Sequence, residues 1–293
     1  MRVTELMVTT NYLKNINNTK RTIDTLNQQL ASNSMVSKPS DNPFAAEAIL
    51  RYTNQIEKNA QYQKNVDNAI SFLETSFDAV DNIVLTLTDV RVLLVAAANT
   101  NDTDMLKTYA NEADGLIRQL VDLGNTKFNN KYVFGGTDSG SFPFTYDGNT
   151  VAINPNGTNG DILVDIGGIE LEKLNITGSE IFKDTEIFQF LEEIRDLLHS
   201  GEKPTAEHLE QIDKYINLNT EHMGKLGTIT ARFKVVGTQL GNEEVRLKDY
   251  LGNDKDIDLA DIILKLTQLQ TNLQAAFQAW SNVLQKTLFN FLQ

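Results

Sequence analysis

Apolar residues recur along most of this chain in alternating steps of three and four. That spacing lays one stripe of a helix against a neighbouring helix. The longest run follows Pro43 and passes through Ile49, Tyr52, Ile56, Asn59, Gln63, Val66, Ile70, Leu73, Phe77, Val80, Val84, Leu87, Arg91 and Leu94. Ser40 or Asp41 can cap it, and Pro43 suits its first turn. A helix of about 55 residues is about 80 Å long, which predicts a rod. The stretch from Asn99 to Thr103 breaks the pattern. A second helix is predicted from near Asp104, with Leu106, Tyr109, Ala113, Leu116, Leu120 and Leu123 on one face, folding back on the first.

After Gly124 the texture changes. Residues 128–180 are rich in glycine and asparagine and hold short alternating segments around Phe142, Thr150 and Ile162. Asp147-Gly148 and Asn156-Gly157 are turn signals, so this part reads as a small β-rich insertion. Helix returns near Thr185, breaks between Gly201 and Pro204, and restarts at Thr205 with a long seam from Leu209 to Leu251.

The two ends carry the pattern that matters most. Past an acidic linker, the last helix shows Leu259, Ile262, Leu266, Leu269, Leu273, Ala276, Trp280 and Val283 in register. Leu284, Leu288 and Phe291 widen that face. The N-terminal segment answers it with Leu6, Leu13, Ile16, Ile23 and Leu30. The predicted fold is mainly α with a small β-rich insertion: an elongated rod of long antiparallel heptad helices, with the terminal helices paired at one end. The expected domains are a terminal assembly domain (1–40 with 254–293), a helical rod (41–140 with 181–253) and an outer β-rich domain (141–180). A helix pair alone leaves the wide C-terminal face wet, so neighbouring subunits are expected to cover it.

Composition narrows the function. The 293 residues carry a net charge of -13, which argues against nucleic acid or an anionic membrane as partner. The chain has no cysteine and three histidines, so thiol chemistry and Cys-based zinc sites are excluded. The N-terminus lacks the apolar core of a signal peptide, and the run from Val92 to Ala98 is too short to span a bilayer.

Candidate chemistry changes little. Asp254, Asp256 and Asp258 imitate the start of a calcium loop, but Leu259 and Lys265 stand where it needs glycine and glutamate. Gly135-Gly136 and Gly140 lack the Gly-Lys-Ser/Thr of a phosphate loop. His208 and His222 lie about 21 Å apart on one helix, too far to share a metal, and read as solvated. Glu192, Glu193 and Asp196 read as a solvated helix face. No catalytic, cofactor or metal residues are assigned, and the chain reads as a non-enzyme.

Several segments resemble the flagellin family, most closely its members at the hook–filament junction. Pro39-Ser40-Asp41-Asn42-Pro43-Phe44-Ala45-Ala46 is similar to the family's Pro-Ser-Asp-Asp-Pro-x-Ala-Ala, with Asn42 for the second acid. Tyr132-Val133-Phe134-Gly135-Gly136, followed by Pro143-Phe144, resembles its Tyr-x-Phe-Gly-Gly…Pro-Phe signature. Leu226 to Arg232, Asp256 to Ala260 and the ending Leu284 to Leu292 also look like the family. The likeness covers roughly residues 1–146 and 205–293.

The resemblance implies export through the flagellar type III channel without a cleaved signal, and assembly outside the cell. It implies four partners: further copies of the chain in a ring or helical array, the other hook-associated junction protein, flagellin, and a cytoplasmic export chaperone that holds the C-terminal helix. It also implies no cofactor. A minor filament flagellin is the alternative in the same class; a secreted coiled-coil adhesin is the alternative outside it.

Overall fold

The computed structural model describes the backbone of residues 5–154, 158–168 and 171–291, and the side chains of residues 7–154, 158–168 and 171–281. Seven helices are described: α1 (Glu5–Ser32), α2 (Pro43–Asn99), α3 (Thr103–Gly124), α4 (Gly178–Phe182), α5 (Glu186–His199), α6 (Ala206–Lys255) and α7 (Leu259–Phe291). Three antiparallel strand pairs lie between α3 and α4: β1 (Lys127–Phe128) with β2 (Lys131–Tyr132), β3 (Phe144–Tyr146) with β4 (Val151–Ile153), and β5 (Leu163–Val164) with β6 (Glu172–Lys173). The chain forms two compact units, residues 1–58 with 243–293 and residues 59–242.

The larger unit holds the main core. Seam residues Val66, Leu73, Val80, Leu87 and Leu94 of α2 are buried, as are Ile212, Leu226, Phe233 and Leu240 of α6. The helices run antiparallel: Glu74 pairs with Lys234, and Arg91 with Asp213 at 2.6 Å. Arg91 thus leaves the predicted seam for an exposed ion pair. Asn59 and Asn219 stay in the seam, buried, each with an Oδ1 that has no partner among the described residues.

The strand pairs share this core. Phe144 of β3 packs on Phe182 and Phe188, with ring centroids 4.7 and 5.3 Å away. At Gly124 a Cβ would lie 2.7 Å from the Phe144 ring, so the end of α3 needs glycine. The β1–β2 turn places Asn129 and Asn130 at φ 47 and 63. Both are left-handed, as a two-residue hairpin turn requires.

Helix α4 begins within the stretch expected to be β-rich. Thr177 and Glu180 form a reciprocal capping box that starts it. The start of α2 also differs from expectation. Asn42 Oδ1 accepts from Ala45 N at 3.2 Å and caps the helix, while Asp41 Oδ2 accepts from Lys38 N and shapes the loop before it. Asn42 is the better cap because it directly precedes Pro43 at the first helical position.

Two surface readings are corrected. His222 is buried at 5% exposure, because α6 turns that flank toward α4. Glu192 is half-buried, and its Oε1 accepts from Val151 N at 2.6 Å, tying α5 to the edge of β4.

Candidate assembly surface

The smaller unit is built on α1 and α7. Asp258 starts α7: its Oδ1 accepts from Ala260 N and Asp261 N at 3.0 and 3.2 Å. From there Ile262 is buried, and Leu266, Leu269, Leu273, Ala276 and Trp280 are half-buried. This is the predicted stripe, one side of a helix at steps of three and four. Val283, Leu284, Leu288 and Phe291 lie outside the residues with described side chains, as does Leu6.

The answering stripe of α1 runs through Tyr12, Ile16, Thr19, Ile23, Leu26 and Leu30, all buried or half-buried. Leu13 is a correction: it is 52% exposed. It sits one residue, about 100°, from Tyr12 around the helix, and Tyr12 holds the seam position instead. Tyr12 and Leu26 were missed because Thr19 hides the three-four rhythm; stepping outward from Ile16 would have found both.

The helices are antiparallel. Tyr12 stacks on Trp280 with ring centroids 4.3 Å apart and planes 12° apart. Its hydroxyl donates to the Ala276 carbonyl at 2.6 Å. Lys20 lies 5.9 Å from the Phe277 ring centroid. Met35 N donates to the Lys255 carbonyl at 2.7 Å and fixes the turn out of α1.

Pairing does not use up the apolar surface of α7. Leu259, Ile263, Leu264 and Phe277 remain 49%, 52%, 66% and 47% exposed. Leu259 was placed in the seam by spacing, but it lies about 60° off the seam axis and stays open. Ala260, Ile263, Leu264, Thr267, Gln268 and Thr271 line a shallow groove along the outer side of α7. Phe44, at the head of α2, is 85% exposed in the same unit.

The signature residues lie elsewhere and act on the fold. Tyr132 and Phe134 are buried. Gly136 has φ +55, and a Cβ there would sit 2.2 Å from the Asn159 carbonyl oxygen. That carbonyl accepts from Thr137 N at 3.2 Å. A Cβ at Gly135 would sit 3.0 Å from the Ser139 Cα and 3.1 Å from the Asp138 carbonyl oxygen. The pair therefore closes a tight turn, and no phosphate cradle is built. Pro39, Ser40 and Asp41 form the exposed loop before α2.

A buried polar cluster also escaped the sequence reading. Arg195, 5% exposed, donates to the Asn149 carbonyl at 2.7 Å and to the Tyr146 hydroxyl at 3.1 Å. Tyr146 in turn donates to Asp114. Burial alone would raise the Asp114 carboxyl, but hydrogen bonds from Tyr146 and Arg118 and the charges of Arg118 and Arg195 outweigh it and hold it below its ordinary value. This cluster ties α3, β3 and α5 together.

Long helices paired at the ends of the chain, with no more than short strand pairs between them, are the build of a structural protein. The chain belongs to the bacterial flagellin family: residues 3–139 match the family's N-terminal helical region and residues 209–292 its C-terminal helical region. It is 23% identical to the flagellar hook-associated protein 3 of Escherichia coli (strain K12), over 99% of both chains. It is also 23% identical to the flagellin of Bacillus subtilis (strain 168), over 97% of this chain and 99% of that one. In fold it is similar to the crystal structure of Bacillus cereus FlgL, with a TM-score of 0.59 and 21% identity, covering 69% of this chain and 99% of that one.

Proposed function

We propose that this chain is a structural subunit of the bacterial flagellum, joining the hook, through a preceding hook-associated protein, to the flagellin filament. The observation that carries the reading is the exposed side of α7. After pairing with α1 it still presents Ile263, Leu264 and Phe277 to water. Such a surface is covered when copies stack head to tail, and contacts of that heterologous kind generate rings or helical arrays. The kinship with hook-associated protein 3 supports placing that array at the junction.

In this reading the protein catalyses nothing. It leaves the cell through the flagellar export channel, and a cytoplasmic chaperone covers α7 beforehand. No helix among the described residues is long and apolar enough to cross a membrane. The seam residues of α1 and α7 carry assembly, while the signature residues around Gly136 shape the outer part.

The equal identity to a flagellin supports a second reading, a minor filament subunit. Deleting the gene separates the two. A junction subunit leaves hooks without filaments and flagellin shed into the medium. Normal filaments on the deletion strain overturn the junction reading.

A further inference from the structure

His222 is the one histidine buried in the larger unit, and neither ring nitrogen has a hydrogen-bond partner among the described residues. The main chain of Glu180 lies close to the ring without a hydrogen bond of good geometry. Such a ring is tolerated when neutral, whereas an imidazolium there is cut off from solvent, with Glu180 and Glu221 alone to oppose the cost of burying its charge.

The segment that carries Glu180 to the ring is held by polar contacts. Glu180 Oε2 accepts from Thr177 N at 2.8 Å and from Thr177 Oγ1 at 3.1 Å. Glu180 Oε1 lies 3.7 Å from Lys173 Nζ, which pairs with Asp161 at 2.8 Å. Asn175, 1% exposed, donates to the Gly160 carbonyl at 3.0 Å and accepts from Ile162 N at 2.7 Å. Gly178 N donates to the Phe134 carbonyl at 3.2 Å. The Glu180 carboxylate is therefore already engaged by Thr177 and Lys173.

We infer that His222 is an acid-sensitive latch: protonating its buried ring loosens residues 171–182, from β6 through α4, from α6. The charged groups facing it are Glu180 from α4, Lys173 beyond it on β6, and Glu221 and Lys225 on α6. Burial pushes the ring below its ordinary 6.5, the charge of Lys225 adds to that, and Glu180 and Glu221 oppose it without reversing it. A histidine depressed in the folded state stabilises fully above its unfolded value. That stability is lost as pH falls below about 6.5. Carboxylates titrate lower, so the window belongs to the histidine.

Hydrogen exchange of the full chain tests this, with rates corrected for the intrinsic effect of pH. The opening constant of a peptide spanning 171–182 should rise about tenfold per pH unit below about 6.5, the slope of one proton taken up. The rise should vanish in H222Q. An opening constant independent of pH, or an undiminished rise in folded H222Q, overturns the latch. Where H222Q does not fold, the ring titration followed by NMR in the unaltered protein decides. A ring titrating below its ordinary 6.5, in step with the opening, supports the latch. A ring titrating at or above 6.5 overturns it.

Discussion

Tyr12 and Trp280 stack face to face, with ring centroids 4.3 Å apart, although 268 positions separate them (280 − 12). The Tyr12 hydroxyl reaches past the ring to the Ala276 carbonyl. One side chain thus sets both the distance and the register of the two terminal helices.

Trp280 is the single tryptophan, so its fluorescence reports on this contact alone. Tyr12→Ala should shift its emission to the red and lower the midpoint of the transition it reports. The stacked pair should contribute about 0.5–1.5 kcal/mol beyond its buried area. Tyr12→Phe keeps the stack and loses the hydrogen bond, at about 1 kcal/mol. Fluorescence-detected urea unfolding of both variants measures the two parts separately.

The two sides of α7 should fail differently. Leu273→Glu puts a charge into the seam against α1, so it should weaken the helix pair and block assembly together. Leu264→Glu changes a side chain that is 66% exposed. It should leave Trp280 fluorescence unchanged and still block assembly. Sedimentation of assembled protein, read beside fluorescence, distinguishes the sites. Normal assembly of Leu264→Glu would remove the outer face of α7 from the interface.

Gly136→Ala should destabilise the larger unit strongly. The residue has φ +55, and the new Cβ would collide with the backbone of Asn159. Left-handed strain alone costs about 1–2 kcal/mol, and the clash adds to it. Gly148→Ala is the control: φ is +97, but nothing lies within 4 Å. Thermal unfolding should show a clearly larger drop for Gly136→Ala.

Arg195→Met should cost about 1–3 kcal/mol, because it leaves the half-buried Tyr146 hydroxyl and the Asn149 carbonyl without their donor. It should also change the acid limb of stability. Asp114 is held below its ordinary 3.8 in the folded protein, so its contribution is present above that value and lost as pH falls through it. Removing Arg195 takes away one of the charges that depress it. Urea unfolding between pH 5 and about 3 should therefore fall less steeply in the variant than in the unaltered chain.

Much of this was legible locally. The seams of α2, α6 and α7 follow from spacing, since burying a stripe of a long helix demands a period near 3.5. The β-rich texture after Gly124 was also a local signal. The capping box of Thr177 and Glu180 was equally local and went unread. Leu13 against Tyr12 shows where spacing fails: with several polar residues in the stripe, two registers fit nearly as well, and the partner helix chooses.

By itself the sequence determined that the protein is a set of long amphipathic helices interrupted by a glycine-rich segment, with a wide apolar face on its last helix. These are properties of periodicity and composition, which each helix carries alone. Only the tertiary structure decided that Tyr12 meets Trp280, that Arg195 gathers Tyr146 and Asn149, and that His222 lies in the dry beneath Glu180. Those relationships join residues far apart in the chain. They arise because packing one helix face against another selects a single register, and no local pattern encodes which distant polar group is then shut away from water.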